Sequence, residues 1–170
     1  MTSFTLRGAA LGLALLSATP AMAADTAPMT SKALLLKPLT LTKLDDLDFG
    51  TIVPSGLGDI VTINADTGAR TSPTAGLVTF DPGHQARFAS SGVNNNFVYL
   101  QLSPGADLVD GAGNRMTVTN LTLDQNGLGL RLLTPSSQVF FVGVGGTVVV
   151  GPTQAEGTYS GTFSLTAVYL

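Results

Sequence analysis

The chain has 170 residues, of which 8 are Lys or Arg and 11 are Asp or Glu, for a formal charge of −3. It has no cysteine and one histidine, which excludes disulfides and any zinc site built from Cys and His clusters. A mildly acidic chain with scattered basic residues also argues against nucleic acid and anionic membrane surfaces as partners.

Residues 1–23 have the pattern of a secretory signal peptide. Met1 to Arg7 carry one positive charge, Gly8 to Leu16 are Gly, Ala and Leu, and Ala21-Met22-Ala23 places small residues at the cleavage positions. This apolar run is too short to span a bilayer, and no later run is long enough. The expectation is an exported protein without a membrane span, located in the periplasm, at the cell surface or outside the cell. Cleavage after Ala23 leaves 147 of the 170 residues, the length of one domain. Residues 24–32 are small and polar and predict a flexible mature N-terminus. Residues 33–170 predict the folded domain. Without disulfides its stability must come from core burial and sheet hydrogen bonds.

The domain opens on a Leu-rich strand, Ala33 to Leu44, with Leu35, Leu39 and Leu41 in one register. Pro38 argues against a helix there and for a sheet edge. A turn and a short strand follow to Pro54. Strands are predicted at Ile60–Ile63, Leu77–Phe80 and Gln85–Ala89, with turn-rich Asn64–Thr74 between the first two. Ala86 and Phe88 share a face. Phe97–Leu102 is apolar on both faces, as a central strand would be. Asp110 to Asn114 is a turn cluster. Met116 and Val118 share one parity and Leu121 and Leu123 the other, which predicts a bulge near Asn120. Asn126-Gly127 signals a turn, Leu128–Leu133 a strand and Thr134–Ser137 a loop. Gly143-Val144-Gly145-Gly146 predicts a turn or kink inside the apolar stretch Val139–Val150.

The last segment, Gly157 to Leu170, alternates with period two. Tyr159, Phe163, Leu165, Ala167 and Tyr169 fall on one face, and Thr158, Ser160, Thr162, Ser164 and Thr166 on the other. No window of a dozen residues shows a helical period. The fold class is therefore all-β: one immunoglobulin-like or pilin-like sandwich, with no helix longer than about two turns.

Few residues suggest chemistry. Asp66-Thr67-Gly68-Ala69 matches four letters of the aspartic-protease loop, where two aspartates share a proton. Asn64 stands just upstream, where that family has apolar residues, and no second matching segment follows. A hairpin turn explains the same letters. Asp45, Asp46 and Asp48 lack the frame of a calcium loop. His84 follows Asp81-Pro82-Gly83 and reads as an exposed loop residue. No catalytic, cofactor-binding or metal-binding set emerges, so the expectation is a non-enzyme.

Two stretches together resemble a known family. One runs from Leu39 to Pro54 and contains Leu47-Asp48-Phe49-Gly50; the other runs from Val142 to Tyr169 and contains Gly157-Thr158-Tyr159. They look like a secreted Gram-negative family of domains of unknown function, itself similar to spore-coat-protein-U and Csu-type chaperone–usher pilus subunits. Gly157, fourteenth from the end, and penultimate Tyr169 match the spacing of such subunits. The resemblance implies that Gly157, Tyr159, Phe163, Leu165, Ala167 and Tyr169, with Leu35, Leu39 and Leu41, form an assembly interface. It implies that these residues line a groove left by a missing strand, filled first by a periplasmic chaperone and then by the next subunit, through β-augmentation. The chain departs from Csu-type subunits in having no cysteine. Its residues before Ala33 are also poor in the alternating apolar side chains a donor strand needs.

The expected function is an exported structural or adhesion protein, like a fimbrial subunit, with copies of itself or related subunits as partners. The alternative is a self-complemented surface or periplasmic module that binds carbohydrate or protein. In either case the final strand is expected beside Ala33–Leu44.

Overall fold

The computed structural model describes residues 30–73, 76–77, 81–135 and 139–170. The predicted signal peptide and most of the predicted flexible N-terminus lie outside these residues. So do part of the predicted strand Leu77–Phe80, part of the loop Thr134–Ser137, and Thr74. Residues 30–34 form no regular element and are exposed. Among the described residues no helix is long and apolar enough to cross a membrane.

The rest is an all-β sandwich. Its elements in chain order are β1 (Thr40–Asp45), β2 (Ile52–Val53), β3 (Asp59–Ile63), β4 (Arg70–Thr71), β5 (Gly76–Leu77), β6 (Ala86–Ser91), β7 (Phe97–Leu102), β8 (Leu108–Val109), β9 (Arg115–Leu123), α1 (Asp124–Gly127), β10 (Leu130–Leu132), β11 (Val139–Val150) and β12 (Leu165–Tyr169). α1 is a turn rather than a helix, since Gln125 and Asn126 are left-handed at φ 54° and 58°. The Asn126-Gly127 signal marks it correctly. β2 and β5 form a small separate ladder.

β11 is the hub of the larger sheet. Its first half pairs with β6, from Val139↔Ser91 to Val144↔Ala86. Its second half pairs with β3 along the same edge, from Gly146↔Ile63 to Val150↔Asp59. β9 runs along the opposite edge, from Val144↔Leu123 to Val149↔Thr117. β1 extends the sheet beyond β6, β4 beyond β3, and β8 beyond β9. The bulge predicted near Asn120 is present: Thr147 pairs with Asn120 but Val148 with Val118, leaving Thr119 as the extra residue.

The predicted turn at Gly143–Gly146 is not formed, because β11 runs straight through it as one strand of 12 residues. The glycines serve a crossing. Here β11 exchanges β6 for β3, and the end of β3 passes close above it. A Cβ on Gly143 would overlap the Ala65 carbonyl, and one on Gly145 the Ile63 carbonyl. Small residues in a strand allow such an approach as readily as they allow a turn.

The second sheet is β10-β7-β12, antiparallel throughout. Val98 and Leu100 on β7 pack with Ala86 and Phe88 on β6 and with Val142 and Val144 on β11 to form the main core. A second cluster gathers Phe49, Val61, Ile63, Val148 and Val150. β7 is central, as its composition predicts, but only one of its faces is buried; Phe97 and Tyr99 face outward.

Candidate functional site: the edge of the C-terminal strand

β12 comes last in the chain, and its alternation places Leu165, Ala167 and Tyr169 toward the core. All three are only half-buried, whereas their inward neighbours on β7, Val98 and Leu100, are at 0% and 1% exposure. The cause is the sheet order. β7 has β10 on one side and β12 on the other. β12 has β7, and among the described residues no strand pairs with its second edge. An unpaired edge leaves a row of backbone groups without ladder partners and one flank of each inward side chain uncovered.

The predicted strand Gly157–Leu170 is shortened at its start. Residues 157–164 form a looped approach, tied to the chain after β7 by Ser103 N–H to Ser164 O at 2.8 Å and by a bridge between Val109 and Ser160. Tyr159 organises this loop rather than the groove. Its hydroxyl donates to Ala155 O at 2.7 Å and accepts from Gln154 Nε2 at 2.7 Å. Phe163 is half-buried and meets Phe88 edge-on, with ring centroids 6.4 Å apart. Gly157 is exposed, and a Cβ there would lie 3.3 Å from an Asp110 carboxylate oxygen.

The N-terminal strand is not beside β12. β1 pairs with β6 in the other sheet, so the expected lateral pairing of the two terminal segments does not occur. Instead, Leu39 and Leu41 pack against the core from the opposite layer, in the same cluster as Leu165 and Ala167. Leu35, predicted in register with them, is 96% exposed and outside any strand. Pro38 is the reason. It removes an amide donor, regular pairing begins only at Thr40, and Leu36 rather than Leu35 is the half-buried residue before it. The penultimate Tyr169 connects the two layers. Its hydroxyl accepts from Val93 N–H at 2.7 Å and donates to Lys37 O at 3.1 Å, linking the segment before β1 to the loop after β6. The sequence marks Tyr169 only as apolar, so this polar clasp is not legible from alternation.

A cleft of about 770 Å³ opens between residues 46–54 and residues 154–163, lined by Leu47, Phe49, Leu121, Val148, Tyr159 and Phe163 among others. Its lining mixes apolar side chains with polar ones such as Asp48, Gln154 and Glu156, and it borders the segment that leads into β12.

The other candidates are dispersed. Asp66-Thr67-Gly68-Ala69 closes the β3–β4 hairpin. Asn64 Oδ1 accepts from the amides of Asp66 and Thr67 at 2.8 and 2.9 Å, and Asp66 Oδ1 accepts from Gln125 N–H at 2.6 Å. Asp46 pairs with Lys43, Asp45 lies 3.7 Å from Arg87, and Asp48 accepts from Gly50 N–H. His84 is exposed and bridges backbone to backbone with Asp48.

A residue that sequence reasoning missed is Arg131 at the middle of β10. It is 6% exposed, faces the sandwich interior, and forms an ion pair with Asp124. It also donates to the carbonyls of Leu128 and Leu130, so it locks the α1 turn onto β10.

The family model described as a domain of unknown function, DUF4402, matches residues 39–169. No curated protein and no solved structure matches this chain.

Proposed function

The chain belongs to the DUF4402 family of domains of unknown function, and within it we propose that this protein is an exported, non-catalytic structural subunit of the cell surface, similar to a pilus subunit, which assembles by accepting a strand on the free edge of β12. The observation that carries this reading is the combination at β12 of an unpaired second edge and a half-buried inward row. A strand added there would satisfy the backbone groups and cover Leu165, Ala167 and Tyr169.

The topology supports it. In the order β10-β7-β12 the last strand stands at the end of its sheet, with a single strand neighbour among the described residues. The similarity to spore-coat-protein-U and Csu-type subunits belongs to the same proposal. A donor is also at hand. Leu34 and Leu35, ahead of β1, are apolar residues 84% and 96% exposed. Their segment, offered to a neighbouring copy, makes a head-to-tail assembly that does not close on itself.

The test is to delete residues 24–36, which leaves Lys37, Leu39 and β1 in place. The expected result is a chain that no longer forms head-to-tail multimers and binds a synthetic peptide of residues 24–36 at one to one. Binding should be lost when Ala167 is replaced by Arg. A full-length chain that stays monomeric at every concentration, and a deleted chain that ignores the peptide, would overturn the proposal in favour of a self-complemented module.

A further inference from the structure

The outer face of the β10-β7-β12 sheet inverts the usual pattern of a strand on a core. On β10 the charged residue points in and the leucines point out: Arg131 is buried, while Leu130 and Leu132 are exposed. Register then aligns those leucines with other outward apolar side chains. Leu132 pairs with Phe97, whose carbonyl accepts from Leu170 N–H, and Leu130 pairs with Tyr99, which pairs with Val168. The result is a block of two rows, Leu132-Phe97-Leu170 and Leu130-Tyr99-Val168. A polar ledge, Gln101 opposite Thr166, borders it. No charged side chain stands in either row. Exposure runs from 39% at Leu130 to 73% at Leu170.

Ordinary packing does not require this face. A strand that only had to cover a core would turn Leu130 and Leu132 inward and Arg131 to water. Burying Arg131 instead needs the Asp124 carboxylate and carbonyl acceptors to offset its desolvation. The six residues expose roughly 600 Å² together, the upper end of the largest apolar patch on a monomer, and approach the ~800 Å² per partner of a standard interface once the ledge is included.

We propose that this face pairs two copies of the chain, sheet against sheet, about a two-fold axis through the Phe97–Tyr99 block. Two arguments select a second copy as the occupant. The area matches what one partner contributes to a stable dimer. The charge pattern does too: a chain with 11 acidic and 8 basic residues repels its copy in general, and this uncharged block is where two copies approach without like-charge contact. An isologous contact uses one patch twice, and a neutral apolar face carries no charge that would oppose its own copy. The two faces then pack as sheets do inside a sandwich, ~10 Å apart. This pairing uses the face of the sheet and not the edge of β12, so it is independent of strand donation and adds lateral contact between subunits.

Sedimentation of the full chain, with Phe97→Thr plus Leu132→Thr as the variant, tests it. Threonine keeps strand propensity, and both positions are solvent-facing in the single copy, so the thermal midpoint should stay unchanged at low concentration. The wild type should show a discrete dimer at micromolar concentration, with dissociation at least ~10-fold easier in the variant. Because the chain has no cysteine, Tyr99→Cys reports the geometry directly. Mild oxidation should give a covalent dimer, while Phe141→Cys, exposed on the other sheet, should not. A wild type without a dimer overturns the proposal, as does a dimer indifferent to the double substitution or equal cross-linking at both cysteines. Loss in the variant of wild-type binding to phosphatidylcholine vesicles, with no dimer, would assign the face to lipid and overturn it as well. Edge-mediated assembly is separable, because it gives multimers beyond two that the peptide of residues 24–36 competes away.

Discussion

β11 and β12 are both written in alternating or continuous apolar residues, yet they end in opposite circumstances. β11 has a strand on both edges along its second half, and Val142, Val144, Val148 and Val150 are at or near full burial. Among the described residues β12 has a strand on one edge only, and its inward side chains are only partly buried. Side-chain pattern decides which face of a strand looks inward. It does not decide how many edges find a partner, because every residue carries the same backbone donor and acceptor. β11 is therefore a fixed interior element. β12 is an element whose environment a second chain could complete.

The sharpest way to break the β11 side is Gly145→Val. Its added atoms would overlap the Ile63 carbonyl and the Ala65 backbone, neither of which is a movable side-chain tip. We expect a loss above ~4 kcal/mol, enough to prevent folding of a domain whose whole stability is of that order. A soluble Gly145→Val chain with an unchanged urea midpoint would show that the crossing is looser than described.

Next comes a matched pair across the second sheet. Leu100→Ala on β7 removes a side chain at 1% exposure and should cost about 3–4 kcal/mol through the lost burial and the cavity left behind. Leu165→Ala on β12 removes one that is partly open to water, and should cost about 1–2 kcal/mol. Denaturant melts of both variants measure the difference. Equal losses would mean that the free edge of β12 is already covered in solution.

These contrasts show what alternation can and cannot convey. β3, β6 and β7 sit where their apolar periods place them, and the parity change between Val118 and Leu121 locates the bulge at Thr119. The errors arise where one residue type serves two geometries. Gly143 and Gly145 allow a close crossing as well as a turn. Leu35 lies beyond Pro38, which interrupts the register that Leu39 and Leu41 keep. Arg131 faces inward because Asp124, at the far end of a left-handed turn, comes back to meet it. That pairing is tertiary, and no local pattern contains it. The candidate site is half legible for the same reason. Its inward row of Leu165, Ala167 and Tyr169 follows from period two, whereas the empty edge beside it depends on strand order.

A smaller effect separates the hydroxyl of Tyr169 from its ring. Tyr169→Phe keeps the apolar contact but leaves Val93 N–H without its acceptor and Lys37 O without its donor. The expected cost is about 1 kcal/mol, as for an ordinary hydrogen-bond pair open in part to water. Amide exchange at Val93 should accelerate while exchange in β11 stays slow. Uniform acceleration across both sheets would contradict a clasp that acts only at the β12 end.

The smallest effect is a pH dependence at the foot of β12. Asp110 turns the chain between β8 and β9. One carboxylate oxygen accepts from Ala112 N–H and Asn114 N–H, at 2.9 and 2.8 Å, and the other from Asn114 Nδ2 at 2.7 Å. The side-chain bond from Asn114, helped by these backbone amides, holds the carboxyl below its ordinary value of 3.8. A depressed carboxyl contributes stability that is present above the unfolded value and is lost as pH falls through the folded one. The window therefore opens below about pH 4. This turn adjoins the approach to β12, since Val109 bridges Ser160 and Gly157 lies over Asp110. Acid should thus loosen the leading end of β12 while the first half of β11, whose ladder with β6 contains no carboxylate, holds. Amide exchange at Asn114 and at Ser160 should rise together below pH 4, and Asp110→Asn should flatten that dependence. A carboxyl titration of Asp110 with its midpoint at or above 3.8 would remove the coupling between this turn and the edge strand.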